Sequence, residues 1–239
     1  YVVNTANWSM GYCGMLKSNG SALEFTRRYD QYIPGNYLTS SDKFYIADLN
    51  GDGKEEFVLF KSNTQTTRLY QSSGSSLSIE AEYFGSLPGW TSKANDQYFI
   101  ADFNNDNEDD LYVFNGVNWG PEYMLMLKSN GTNYDYVIRY DDHLPNWNMN
   151  NNDKYYVADI NGDGKEDLYV FNTNDWATQW LGTVISSGTG LNVATKQGDW
   201  IGGWNLGGVD KLIVDKRSSG REHLFISNSN WFGYLWSGS

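Results

Sequence analysis

DLNGDGKEEF at residues 48–57 returns as DFNNDNEDDL at 102–111 and as DINGDGKEDL at 159–168. Places 1, 3, 5 and 9 carry side-chain oxygens: Asp48, Asn50, Asp52 and Glu56; Asp102, Asn104, Asp106 and Asp110; Asp159, Asn161, Asp163 and Asp167. Place 6 is Gly53, Asn107 or Gly164, residue types that tolerate the left-handed backbone a tight corner needs. Place 7 (Lys54, Glu108, Lys165) can add a main-chain carbonyl. Oxygen donors in this order wrap a hard cation. Calcium is expected over magnesium because the donor set is large and flexible, and over zinc because it holds no His or Cys. About three Ca2+ sites follow. An EF-hand would need Glu at place 12 between two helices, whereas place 12 here is Leu59, Val113 or Val170, flanked by strand-like runs.

The corners start 54 and 57 residues apart, and a shift of 111 aligns the chain with itself. Asn7-Trp8 then falls on Asn118-Trp119, Arg28-Tyr29-Asp30 on Arg139-Tyr140-Asp141, and Asp42-Lys43 on Asp153-Lys154. Each unit breaks into four short runs: 154–158 before the corner, 168–171 after it, then 123–128 and 134–140 in the unit where these are clearest. Short continuous apolar runs indicate strands buried on both faces, and Ser-Asn-Gly between the last two indicates a hairpin. Residues 212–214 read as a weaker fourth copy of the second run. Gly203-Trp204-Asn205-Leu206-Gly207-Gly208 reads as a fourth corner that has lost its carboxylates.

Four antiparallel strands per unit, repeated at about fifty residues, describe β-propeller blades. The expected fold is one all-β domain over 1–239, with blades at 42–95, 96–152, 153–198 and 199–239 and a partial blade at 1–41. Five blades is the first reading; a fragment of a seven-bladed ring is the alternative. The spacing Asp-x-Asn-x-Asp-Gly-x-x-Asp/Glu after Tyr-x-Ala, followed by Leu-Tyr-Val-Phe, resembles the FG-GAP/VCBS repeats of integrin α-subunit propellers. It is also similar to repeats of propeller lectins of the Psathyrella velutina type. The resemblance implies calcium ligation at the three corners; the Phe-Gly…Gly-Ala-Pro segment of that family is not recognisable here.

Composition narrows the function. Of 239 residues, 18 are Tyr, 10 are Trp and 25 are Gly, which suits strands and turns. A net charge of −12 argues against nucleic acid or an anionic membrane surface as partner. Three divalent ions would halve that charge to −6. With one cysteine, Cys13, there is no internal disulfide framework, and its apolar setting marks a buried, inert thiol. No apolar run is long enough to cross a bilayer. A start at Tyr1 reads as a processed product or an excised domain, and weak modular calcium sites suit an extracellular, secreted setting.

No catalytic constellation emerges. The two histidines, His143 and His223, fall in dissimilar places, and the patterned acids are absorbed by the corners. The chain is therefore read as a non-enzyme. The other recurrent feature is aromatic: Asn7-Trp8, Asn118-Trp119, Asp175-Trp176 and Asn230-Trp231 lie between second and third runs. A Trp face beside an amide or carboxylate suits a sugar, which stacks by its C–H face and donates hydroxyls to the neighbour. A second series, Trp90, Trp147 and Trp200, reads as filling between blades. The expected function is a multivalent lectin that binds glycans or glycoproteins. The alternative is an extracellular protein-binding or adhesion module of a larger secreted protein.

Overall fold

The computed structural model describes all residues except 5–11, 31, 62–63, 85–86, 117–120, 173–178, 199, 202–203, 208–209, 216–220, 228–231 and 236–239. The chain is all-β, as expected. It groups into two compact units, Tyr1–Ala94 with Ser129–Asp135, and Asn95–Lys128 with Tyr136–Ser239.

In chain order the first sheet is β1 (Val2–Asn4), β2 (Tyr12–Ser18) and β3 (Leu23–Asp30), followed by a small hairpin, β4 (Tyr32–Ile33) with β5 (Asn36–Tyr37). The second sheet is β6 (Asp42–Ala47), β7 (Glu56–Lys61), β8 (Thr66–Ser72) and β9 (Leu77–Phe84). The third is β10 (Gln97–Ala101), β11 (Asp110–Asn115), β12 (Tyr123–Ser129) and β13 (Tyr134–Asp141), followed by the hairpin β14 (His143–Leu144) with β15 (Trp147–Asn148). The fourth is β16 (Asp153–Ala158), β17 (Asp167–Asn172), β18 (Trp180–Ser186) and β19 (Leu191–Gly198), with the hairpin β20 (Trp200–Ile201) and β21 (Trp204–Asn205). The fifth is β22 (Lys211–Asp215), β23 (His223–Ser227) and β24 (Phe232–Leu235). In every sheet spatial order equals chain order, the up-and-down meander of a propeller blade.

Burial explains the sequence pattern. The second strands β7, β11 and β17 are buried at every position, matching their unbroken apolar runs. Within the second unit, Tyr112, Phe114 and Met126 pack with Tyr155, Val170 and Val184, while the opposite face of the fourth sheet sets Tyr169 and Phe171 against Leu212, Leu224 and Ile226. In the first unit Cys13, Met15 and Tyr29 pack with Phe57, Leu59 and Tyr70. Cys13 is fully buried, and burial pushes its thiol up to about 11, so it is the inert thiol expected.

The third-to-fourth-strand turn repeats as built. The N–H groups of Asn19, Ser73, Asn130 and Ser187 donate to carbonyls three residues on, and the next residue is a glycine at φ between 80 and 91°. Only the glycine takes positive φ, so the turn is of the type II′ kind and Asn is not needed, which is why Ser-Gly serves equally. A phenol ties neighbouring sheets: Leu77 N–H donates to Tyr29 Oη (2.7 Å), Tyr134 N–H to Tyr83 Oη (2.8 Å) and Leu191 N–H to Tyr140 Oη (2.7 Å).

Two expectations are corrected. Residues 212–214 belong to a first strand: among the described residues β22 pairs only with β23, and buried Asp210 stands just ahead of it as Asp42, Asp96 and Asp153 stand at or beside β6, β10 and β16. Trp204-Asn205 is a strand of the small hairpin β20–β21, so 203–208 is not a corner between first and second strands. Apolar content alone cannot tell a first strand from a second.

Candidate metal centre

Each of the three corners joins a first strand to a second, Ala47 pairing with Glu56, Ala101 with Asp110 and Ala158 with Asp167. Places 4 and 6 both turn left-handed: Gly51 (67°) and Gly53 (79°), Asn105 (62°) and Asn107 (67°), Gly162 (80°) and Gly164 (86°). That folds the main-chain N–H groups inward onto the first carboxylate. Asp48 accepts from Asp52 N–H (3.1 Å) and Gly53 N–H (2.8 Å). Asp102 accepts from Asn105, Asp106 and Asn107 at 2.7–3.2 Å, and Asp159 from Gly162 (2.7 Å) and Gly164 (3.1 Å).

The remaining places are held as follows. Asn50 and Asn161 accept from the N–H groups of Asp52 (2.9 Å) and Asp163 (2.7 Å), while Asn104 Nδ2 donates to Asp110 (2.7 Å). The place-5 carboxylates pair with ammonium groups: Asp52 with Lys54 (2.6 Å), Asp163 with Lys165 (2.9 Å) and Asp106 with Lys128 (2.7 Å). Asp106 also accepts from Glu108 N–H (3.1 Å). The hydrogen bond from Lys54 holds Asp52 below the usual carboxylate range. Among the described residues no three carboxylates, histidines or thiols converge as a cage.

The donor set nonetheless fits a cation, because place 9 is a buried carboxylate in all three corners. Glu56 accepts Leu49 N–H through Oε2 (3.1 Å), but Oε1 is buried without a hydrogen-bond partner. Burial, with Asp52, Asp48 and Glu55 adding repulsion, pushes Glu56 up to about 7. Asp167 accepts from Ile160 N–H (3.1 Å) and Ser186 N–H (2.8 Å), yet burial with Asp163 and Asp159 nearby also pushes it up to about 7. A divalent ion among places 1, 5 and 9 would relieve that cost.

Within the second unit, place 8 of one corner clamps place 1 of the preceding corner. Asp102 N–H donates to Glu166 Oε2 (3.0 Å), Glu166 N–H returns to the Asp102 carbonyl (2.8 Å), and Tyr112 Oη donates to the Glu166 carbonyl (3.0 Å). Glu222 repeats this on Asp159, at 3.0 and 2.8 Å, with Tyr169 in the tyrosine's place. Place 2 is tied as well: Ser129 Oγ donates to the Leu49 carbonyl (2.7 Å) and Ser186 Oγ to the Phe103 carbonyl (2.8 Å).

Sequence reading missed a second carboxylate series, Asp42, Asp96, Asp153 and Asp210, all buried. Asp153 gathers Trp147 Nε1 (2.9 Å), Asn172 Nδ2 (2.6 Å) and Asn150 N–H (3.1 Å); Asp96 takes Asn115 Nδ2 (2.7 Å). Asp42 instead forms a buried ion pair with Lys61 (3.0 Å). Their spacings of 54, 57 and 57 residues were the available signal. Trp90 and Trp147 are buried, in keeping with a filling role. Asn7, Trp8, Asn118, Trp119, Asp175, Trp176, Asn230 and Trp231 lie outside the described residues.

Residues 48–113 match the family model of the FG-GAP-like repeat. Among solved structures, the chain is similar to an Agrocybe aegerita lectin that recognises non-reducing terminal N-acetylglucosamine, with 17% identity and a TM-score of 0.55 over 97% of this chain and 63% of the lectin chain. It is also similar to an exotype rhamnogalacturonan lyase, with 14% identity and a TM-score of 0.50 over 98% of this chain and 50% of the lyase chain. The chain thus spans less than two thirds of the length of either. A search of the curated proteins finds no match.

Proposed function

Starting from an FG-GAP-like repeat at 48–113 and a β-propeller fold, we propose that this chain is a calcium-stabilised, non-catalytic carbohydrate-binding domain acting as a secreted, multivalent lectin. What supports the reading is the order of the aromatic pairs along the sequence relative to the strands. Residues 7–8 fall between β1 and β2, 118–119 between β11 and β12, 175–176 between β17 and β18, and 230–231 between β23 and β24. In sequence, four sheets therefore have Asn-Trp or Asp-Trp between second and third strands, residue types that suit a sugar's C–H face and its hydroxyls. Repeated shallow sites would add by avidity.

Calcium would be held by the side chains at places 1, 3, 5 and 9 with the place-7 carbonyl, and would supply charge neutralisation at buried Glu56 and Asp167. Millimolar calcium outside cells suits such sites. Likeness to an N-acetylglucosamine-recognising lectin makes that sugar the first to test. The chain is screened on a glycan array with calcium and with chelator. Glycan binding competed by free monosaccharide is the expected result. Silence across the array, with specific capture of a protein ligand, would replace the lectin by an adhesion module.

A further inference from the structure

Every four-stranded sheet pairs its second strand with a first strand that delivers a corner: β6 to β7, β10 to β11 and β16 to β17. In the first sheet β1 stands in the second-strand place. The sequence Tyr1-Val2-Val3-Asn4 aligns with Tyr112-Val113-Phe114-Asn115 at the 111-residue shift, and Val2 pairs with Gly14 as Val113 pairs with Leu125. Among the described residues no strand pairs with the edge of β1 away from β2.

Tyr1, the residue just ahead of β1, lines a cavity of about 960 Å³ together with Lys17, Glu55, Ser72 and Gly74 among others. Each of these has a counterpart engaged with a corner elsewhere. Tyr1 corresponds to Tyr112 and Tyr169, and Glu55 to Glu166 and Glu222, the residues that clamp place 1. Ser72 corresponds to Ser129 and Ser186, which donate to the place-2 carbonyl. Gly74 corresponds to Gly188, whose absent Cβ would come within 3.4 Å of Asn104 at place 3; at Gly74 a Cβ would meet nothing within 4 Å. Lys17 corresponds to Lys128, the ammonium paired with Asp106 at place 5.

We infer that this cavity and the β1 edge form a receptor for an added polypeptide segment of the repeat's own kind: an extended strand followed by an Asp-apolar-Asn-x-Asp corner. Strand pairing along β1 aligns the segment. Glu55 takes the N–H of the first Asp and returns its own N–H to that residue's carbonyl. Ser72 donates to the apolar residue's carbonyl, the Asn side chain rests on Gly74, and Lys17 meets the fifth-place carboxylate. The copies at β6, β10 and β16 are each engaged by their own second strands, so the occupant is a segment additional to Tyr1–Ser239.

The test uses the whole chain and a synthetic peptide with the sequence of residues 153–168, in calcium-containing buffer, against a scrambled peptide. Saturable one-to-one binding, slowed amide exchange at Val2–Asn4, and at least fivefold weaker binding to Glu55→Ala and to Ser72→Ala are expected. Ser72 also accepts the Gly74 N–H (3.1 Å), so the peptide-free melting temperature of each variant is measured alongside, and the binding loss is read at a temperature where both are folded. A second form carries residues 153–168 fused directly ahead of Tyr1, reproducing the native join of Leu168 to Tyr169. It melts higher by about 5 °C or more, and Glu55→Ala removes the gain. A flat melting temperature in the fusion, or binding indifferent to both variants, overturns the assignment. So does a concentration-dependent dimer that protects Val2–Asn4 without peptide, which would give the edge to a second copy.

Discussion

The third corner, Asp159–Asp167, and the one between β22 and β23 occupy the same place in successive sheets but differ in chemistry. Counted back from His223 at place 9, the latter spells Asp215, Lys216, Arg217, Ser218, Ser219, Gly220, Arg221 and Glu222. Places 3, 5 and 9 have become Arg, Ser and His, while Gly at 6 and Glu at 8 remain. Glu222 still clamps Asp159 as Glu166 clamps Asp102, and Arg221 Nε donates to the Asn161 carbonyl (3.1 Å). The tie to the sheet before it is thus separable from the oxygen-donor set. The last corner keeps the tie without the donors.

The broadest way to break this comparison is to remove calcium. With about 2.7 kcal/mol per site at a hundredfold excess over Kd, and 2–4 °C per kcal/mol at this size, chelation should lower the melting temperature by roughly 15 °C or more. Calorimetry should count three ions, and a fourth would erase the distinction. The effect is pH-dependent. Glu56 and Asp167 hold protons more tightly folded, near 7, than at their ordinary values of 4.5 and 3.8. The calcium-free protein therefore loses stability as pH rises from about 4 to 7. Calcium's increment should grow over the same window and fade below it, as melts at fixed calcium would record.

A place-for-place swap in the buried Asp series comes next. Lys61 stands where the third and fourth sheets have Asn115 and Asn172, so Lys61→Ala leaves the Asp42 charge uncompensated and should cost about 3–5 kcal/mol by urea unfolding. Lys61→Asn should recover much of it. Glu222→Ala removes the acceptor for Asp159 N–H and should cost about 1–3 kcal/mol. If tie and ion-holding are distinct tasks, this variant lowers stability while calorimetry still counts three ions. Ser186→Ala, which frees the Phe103 carbonyl, should cost about 0.5–1.5 kcal/mol.

Much of this was legible because oxygen spacing and period are written locally. Asp48, Asp102 and Asp159 gave the corners, and the unbroken run 168–171 gave a strand buried on both faces. The last corner was misplaced because its markers, Gly220 and Glu222, lack the carboxylates that had defined the motif, and the Gly-rich stretch 203–208 mimicked the turn in sequence. The Glu166 and Glu222 clamps were illegible for a different reason. An acid next to a ligand acid reads as solvated charge until the neighbouring sheet supplies the N–H it accepts. The left-handed turns at Gly51, Asn105 and Gly162 were visible in the letters, but their need arises only from three N–H groups converging on one carboxylate.

The phenol ties from Tyr29, Tyr83 and Tyr140 all run in one direction, from a fourth strand to the start of its successor's. Each of these three sheets asks the same thing of the one that follows it, a main-chain N–H that any residue but proline provides. Such a seam is indifferent to the identity of its neighbour. A gene encoding it can lengthen by duplicating one module without redesigning the joints, leaving the corners free to diverge one at a time.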